Sequence, residues 1–272
     1  MSSISSPLEG AARLEVIEAL SQELYAAWSE RRTVQPLRVR YPWLSIDDAY
    51  AISLGFIARR TQAGERIIGK KIGVTSKAVQ DMLGVHQPDF GFLTDRMQVR
   101  NGGTIEIGAA MIQPRAEAEI ALVLSSSLSG PGVTEADVLA ATQSIAACFE
   151  IVDSRIDNWD IRIVDTVADN ASCGLFVLGD QRISPRGLDL ASMEVRVKKN
   201  GRHLSRGVGA AVQGSPLAAV AWLANTLGAY GVTLEAGDVI LSGSLVPLET
   251  AVPGDVFELD LDHVGAAIVQ FS

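Results

Sequence analysis

The spacing of apolar positions changes character once along the chain. Over 11–30, Leu14, Ile17, Leu20, Leu24 and Trp28 recur at the interval of a single helix face. Ser45 followed by Asp48 is a helix start signal, and the helix it opens runs through Ile52, Phe56 and Ile57 to about Arg60, with Gly64 marking its end. Pro36 and Pro42 lie in the connection between the two. From Ile67 onward the pattern is alternation or continuous apolar runs. Strands are expected at 67–75, 113–124, 145–153, 175–179, 193–198, 239–241, 256–261 and 266–271. Helices are expected at 76–83 (Ser76 as cap), 133–143 (Thr134 as cap) and 217–230, a turn-rich loop at 84–91, and a hairpin at Asn200-Gly201. The chain thus divides into an N-terminal helical unit, 1–65, with no catalytic constellation, and a β-rich body, 66–272.

Charge stands inside some of these strands, where it has to be explained. Glu117 and Glu119 flank Ala118, where the apolar run of the 113–124 strand begins, and positions i and i+2 of a strand share a face. Burying two like charges unpaired costs on the order of several kcal/mol. A divalent cation with oxygen ligands would resolve the conflict; so would full solvation of the pair at a strand end, or pairing with Arg115. Glu150, between Phe149 and Ile151, is a third carboxylate that needs a partner and favours the cation. Lys71 lies among glycines and apolar residues, and strand alternation turns Lys70 to the opposite face. Asp89 follows Pro88 and is either a turn former or a functional acid. The charges of 153–169 are expected to pair with one another, and the small residues of 170–174 to mark tight packing or a nearby ligand.

Composition narrows the classes. The net charge is −9 and no basic run occurs, which argues against nucleic acid but leaves room for a small acid bound at a local positive site. Cys148 and Cys173 make no disulfide scaffold, and no Cys/His spacing suits zinc. His86, His203 and His263 are isolated and read as structural. There is no nucleophile elbow, phosphate-binding loop or dinucleotide fingerprint. Residues 1–7 lack a signal-peptide pattern and no apolar run is membrane length, so a cytoplasmic, non-membrane protein is expected.

Five segments, in order, carry a resemblance: Gly69-Lys70-Lys71-Ile72-Gly73-Val74-Thr75-Ser76-Lys77, Gln87-Pro88-Asp89-Phe90-Gly91, Pro114-Arg115-Ala116-Glu117-Ala118-Glu119, Glu150-Ile151-Val152-Asp153-Ser154-Arg155 and Asp165-Thr166-Val167-Ala168-Asp169-Asn170-Ala171-Ser172. Together they resemble the 2-keto-4-pentenoate (2-hydroxypenta-2,4-dienoate) hydratases of aromatic meta-cleavage catabolism, within the fumarylacetoacetase superfamily. The resemblance implies an α+β fold, a mixed β-sandwich or roll with flanking helices. It implies Mg²⁺ or Mn²⁺ on Glu117, Glu119 and Glu150, with Lys71 and Asp89 as the active-site lysine and aspartate. The implied reaction adds water to a small 2-hydroxydienoic acid, giving 4-hydroxy-2-oxopentanoate. Implied partners are further copies of the chain, often pentamer-based, and a 4-oxalocrotonate decarboxylase. That decarboxylase is also the rival activity. Its subfamily carries an apolar residue where Asp89 stands, in keeping with a reaction that activates no water. Two more rivals fit less well. A C–C hydrolase would need a further His or Glu dyad, and a catalytically silent scaffold would not need these polar positions intact.

Overall fold

The computed structural model describes residues 10–76, 80–81 and 84–272. The Ser-rich start and most of the expected 76–83 helix lie outside them. The first helix, α1 (Gly10–Glu30), packs on α3 (Ile46–Gln62), with a single turn, α2 (Leu37–Arg40), between. Ser45 and Asp48 form the expected capping box: the Ser45 hydroxyl accepts from Asp48 N at 3.2 Å and the Asp48 carboxylate accepts from Ser45 N at 2.8 Å. The helices cross closely at Gly55, where an added Cβ would lie 2.4 Å from Ser21 Oγ. Leu20, Leu24 and Ala27 are buried, whereas Leu14 is 65 % exposed, so the buried face of α1 begins later than the apolar spacing suggests.

Thirteen strands follow: β1 (Ile67–Gly73), β2 (Asp89–Thr94), β3 (Gln98–Val99), β4 (Thr104–Ile105), β5 (Pro114–Leu124), β6 (Thr142–Asp153), β7 (Cys173–Leu178), β8 (Glu194–Lys199), β9 (Arg202–Val208), β10 (Val239–Leu241), β11 (Glu249–Thr250), β12 (Val256–Leu261) and β13 (Gly265–Phe271). Interspersed with them are α4 (Glu135–Ala141), α5 (Ile163–Ala168) and α6 (Pro216–Ala229). One sheet runs β2-β1-β10-β5-β6-β7-β3 with β11 added on β5; the other runs β4-β13-β12-β8-β9.

The larger sheet must curl. Its path begins with β2 and ends with β3, yet only Asp95–Met97 separate those strands in sequence. A flat sheet would put them about 29 Å apart at roughly 4.8 Å per strand step, beyond the roughly 14 Å that the connection can span. The curl gives the sheet an inner face, lined by Leu93, Ala121, Cys148, Phe176, Leu178 and Leu241. The main core lies on the other side and is continuous from Leu24 and Phe56 of the helical unit to Phe257 and Val269 of the second sheet. Tyr50 of α3 stacks on Phe90 of β2, with ring centroids 4.3 Å apart.

Three expectations are corrected here. Thr142 and Gln143 open β6 instead of closing α4, because the pairing with β5 reaches back to Thr142↔Leu124. The loop expected at 84–91 ends earlier, because Asp89 is the first residue of β2, paired with Gly73 and 1 % exposed. The charges of 153–169 pair only partly among themselves. Arg155 takes Asp169, but Asp160 and Asp165 bind Arg38 of the helical unit. The Asn200-Gly201 turn is observed, with φ of 55° and 73°.

Candidate active site

Strand register puts five charged residues on one face. Asp89 pairs with Gly73, which shares the face of Lys71. Lys71 pairs with Leu241 of β10, and Leu241 with Ala121 of β5. Ala121 shares the face of Glu119 and Glu117, and Glu117 lies directly opposite Glu150 of β6. All five therefore point to the inner side of the curled sheet. Lys71 is three strand steps from Glu150, about 14 Å on a flat sheet. The curl brings Lys71 Nζ to 3.1 Å from Glu150 Oε1.

One ligand atom from each of Glu117, Glu119 and Glu150 lies within 4.8 Å of the other two. Glu119 and Glu150 are fully buried and Glu117 is half-buried. Glu119 Oε2 accepts from Gly243 N at 2.8 Å, while its Oε1, both oxygens of Glu150 and both of Asp89 are buried with no hydrogen-bond partner among the described residues. The Lys71 ammonium thus meets Glu150 as a charge, without hydrogen-bond alignment. Arg115 shares the strand face of the glutamates, but its guanidinium lies 4.4 Å over the Trp159 ring, and no Arg115 ion pair occurs among the described residues. Neither solvation nor Arg115 accounts for the glutamates.

The ionisation of the cluster shows the same excess of negative charge. Burial raises Glu117 to about 8, with Glu150 adding to the rise and Lys71 opposing it. Burial, then Glu150 and Glu117, hold Glu119 well above the ordinary carboxylate value. Burial raises Asp89 to about 6 against the pull of Lys71. Burial alone would lower Lys71, but Glu150, Asp89 and Glu117 outweigh it and keep the ammonium charged. Carboxyl groups that hold protons for lack of a partner, with orphaned oxygens converging on one point, fit a hard divalent cation that would displace those protons.

Two glycines and an asparagine complete the site; Gly73 was signalled in the sequence as a glycine breaking a strand, and Asn170 falls in the 170–174 run expected to mark tight packing or a nearby ligand, whereas Gly243 gave no signal. A Cβ on Gly73 would lie 2.3 Å from Asp89 Oδ1 and 3.3 Å from Lys71 Nζ, so glycine leaves the space that the acid and the ammonium share. Gly243, at φ +106°, offers the N–H that Glu119 accepts; its own Cβ would meet Thr75 at 2.5 Å. Asn170 binds Phe92 N and O through its side-chain amide, at 2.8 and 3.0 Å, and so caps the edge of β2. Asn170, Ala171 and Ser172 all have left-handed φ, between 52° and 53°. Such a run costs roughly 1–2 kcal/mol per residue and needs firm anchors.

Lys70, on the opposite face, ion-pairs with Asp238 and donates to Thr233 O at 3.2 Å, away from the cluster. Cys148 and Cys173 are buried and free.

The sequence model for the fumarylacetoacetate (FAA) hydrolase C-terminal family matches residues 65–272. A 2-hydroxyhexa-2,4-dienoate hydratase of Comamonas testosteroni is 56 % identical over 95 % of this chain and 98 % of its own. A 2-hydroxypent-2,4-dienoate hydratase of Pseudomonas putida is 61 % identical over 80 % of this chain and 98 % of its own. The chain belongs to the 2-keto-4-pentenoate hydratase family. Among solved structures, the 4-oxalocrotonate decarboxylase of Pseudomonas putida, complexed with magnesium and adipate, superposes with a TM-score of 0.92 at 33 % identity, covering 95 % of this chain and 98 % of that one. The hydratase family and that decarboxylase therefore share one fold, and what separates them has to be sought in the site.

Proposed function

We propose that this chain is a metal-dependent hydro-lyase that adds water to 2-hydroxypenta-2,4-dienoate to give 4-hydroxy-2-oxopentanoate. Residues 66–272 form its catalytic body and 1–65 a packing unit. The observation that carries the proposal is a single inner face bearing three converging glutamates, a charged lysine and a buried aspartate with unpartnered oxygens. Full-length identity to hydratases supports the reaction class.

Glu117, Glu119 and Glu150 would hold Mg²⁺ or Mn²⁺, whose chemistry is that of a Lewis acid polarising the 2-oxo group of a chelating 2-oxo acid. The remaining work falls to the chain's own groups. The substrate's enol proton leaves and a proton arrives at C5, giving a conjugated ketone with an electrophilic C4. Lys71 Nζ supplies positive charge beside Glu150 and stabilises negative charge developing on the substrate. Asp89, whose Oδ1 shares the space beside Gly73 with the Lys71 ammonium, is placed to exchange protons with a water bound there. Its carboxylate takes a proton from the water whose oxygen bonds to C4, and C3 is protonated to complete the addition. The apolar lining of Leu93, Phe176, Leu178 and Leu241 keeps bulk water from the carboxylate cluster.

Among the described residues no helix is long and apolar enough to cross a membrane. The proposal includes a cytoplasmic homo-oligomer that associates with a 4-oxalocrotonate decarboxylase, on the strength of the family resemblance. The test is a side-by-side product assay. The protein should consume 2-hydroxypenta-2,4-dienoate with formation of 4-hydroxy-2-oxopentanoate and release no CO₂ from 4-oxalocrotonate. CO₂ release with the dienoate left intact would assign the decarboxylase activity instead.

A further inference from the structure

β2 stands at one end of the larger sheet, and among the described residues β1 is its only strand neighbour. Such an edge ordinarily leaves a row of N–H and C=O groups open to water. Here every residue of β2 is buried, so its outward backbone groups need partners inside the protein. The Asn170 side chain supplies them at Phe92. Its Oδ1 accepts from Phe92 N at 2.8 Å and its Nδ2 donates to Phe92 O at 3.0 Å. One side-chain amide thus takes the place that a peptide group of a further strand would hold. Gly91 permits the approach, since a Cβ there would lie 2.5 Å from Asn170 O. The turn that delivers the amide is strained and firmly anchored. Asn170, Ala171 and Ser172 are all left-handed, and Arg155 donates to Asp169 O and Cys173 O on either side of them.

What this clamp holds in place is Asp89. Both of its carboxylate oxygens lack a hydrogen-bond partner among the described residues, so no hydrogen bond to the side chain fixes where the acid lies. Its position is set by the backbone of β2, of which it is the first residue, and by the slot beside Gly73. β1 ends at Gly73, the residue opposite Asp89, so the ladder gives the acid no support beyond that pair. Support comes instead from the next residues of β2: Tyr50 stacks on Phe90, with ring centroids 4.3 Å apart, and Asn170 fixes Phe92. We infer that Asn170 is a positioning residue for the reaction: by clamping the open edge of β2 it holds the Asp89 carboxylate on the inner face beside Lys71. The inference rests on the hydratase reading above, which gives Asp89 its proton transfer with water. Asn170 acts through the strand, since its side chain bonds Phe92 and not Asp89, Lys71 or the glutamates.

The test combines Asn170→Gly with Asp89→Asn in the intact, Mn²⁺-loaded protein. Glycine keeps the left-handed backbone and removes only the amide. In Asn170→Gly the Phe92 N–H should exchange with D₂O about tenfold faster, the order of one hydrogen bond, with the protection of β5 and β6 unchanged. The kcat on 2-hydroxypenta-2,4-dienoate should fall at least about tenfold, since a misplacement of about 1 Å at a reacting group costs on the order of a hundredfold. KM and Mn²⁺ affinity should not change. Adding Asn170→Gly to Asp89→Asn should lower kcat no further, because the group that Asn170 positions is already gone. A role confined to stability would produce no such coupling. An unchanged kcat in Asn170→Gly, losses that multiply in the double variant, or a parallel loss of Mn²⁺ affinity would each overturn the assignment while leaving the hydratase reading in place. A wild type that hydrates no dienoate would remove that reading, and the inference with it.

Discussion

Two buried clusters of charge are built at β6, one on its inner face around Glu150 and one just past its end around Arg155, and they follow opposite rules. Around Arg155 every group is matched. Its Nε bonds Asp169, Nη1 donates to Asp153 O and Cys173 O, and Nη2 donates to Asp169 O. Nearby, Arg60 is held by Glu65, and Thr94 donates to the same carboxylate. In the carboxylate cluster, five buried oxygens on Asp89, Glu119 and Glu150 have no hydrogen-bond partner among the described residues. Both clusters are buried and both bear charge, so burial and charge alone do not reveal a functional site. What distinguishes them is satisfaction. A saturated network fixes the backbone, whereas an unsaturated one retains capacity for a ligand. The saturated cluster also serves the other: Arg155 fastens the backbone at Asp169 and Cys173, on both sides of the left-handed 170–172 turn that caps β2 next to Asp89.

The sharpest way to break this comparison is to change the unsaturated side. Glu119→Gln and Glu150→Gln should each lower turnover by about a thousandfold, the scale on which a lost electrostatic element acts. They should also abolish tight Mn²⁺ binding, as read by titration calorimetry. Stability should hold or rise in Glu119→Gln, which removes a repelling buried carboxylate, and fall in Glu150→Gln, which takes the ion-pair partner from the buried Lys71. Chelation with EDTA should silence the wild type, and Mn²⁺ should restore it. Full activity after chelation would show that the glutamates serve another purpose.

Next in size is the contrast between Lys71 and Lys70, neighbours that strand alternation sends to different clusters. Lys71→Ala should cost at least about a hundredfold in kcat with the fold intact. Lys70→Ala strands the buried Asp238 carboxylate, so it should cost about 2–4 kcal/mol in urea unfolding and little activity in what remains folded. Similar activity losses in both variants would contradict the assignment of faces.

Strand alternation is also what made so much of the site legible in the sequence. Glu117 and Glu119 at i and i+2, and Glu150 amid apolar residues, announced a buried acidic face, and the same rule separated Lys71 from Lys70. Asp89 was ambiguous because Pro88 and Gly91 are turn-forming residues; its place in β2 comes from pairing with β1, a contact that local composition does not encode. The curl was invisible for a similar reason, since it follows from strand order, and only the order reveals that β2 and β3 lie at opposite ends of one path. Arg38 binding Asp160 and Asp165 was missed because those partners are far apart in the chain.

The saturated cluster should fail in a different way. Arg155→Met leaves Asp169 buried and unpaired, and should cost about 3–5 kcal/mol of stability in denaturant unfolding. Variant that remains folded at low temperature should still bind Mn²⁺, because no glutamate of the acidic cluster touches Arg155. Loss of Mn²⁺ binding in the folded variant would mean that the two clusters are not separable.

The smallest expected effect comes from a saturated charge outside both clusters. Asp48 accepts from Ser45 N and Ser45 Oγ, and from Arg13 Nε and Nη2 at 2.9 and 2.7 Å. Burial would raise its pKa, but the hydrogen bonds from Arg13 and Ser45 outweigh that and lower it below 3.8. A carboxyl group whose folded pKa is depressed contributes stability above its unfolded pKa, and loses that contribution as pH falls through the folded one. Asp48→Asn keeps an acceptor for the cap and removes the charge facing Arg13. It should cost about 1 kcal/mol at neutral pH, the scale of a helix cap joined to a partly exposed ion pair. The difference between wild type and variant in urea unfolding should shrink below about pH 4, near the unfolded aspartate value, and vanish once the folded carboxyl is protonated. A difference that stayed constant down to pH 2 would place the stabilisation in the geometry of the cap and not in its charge.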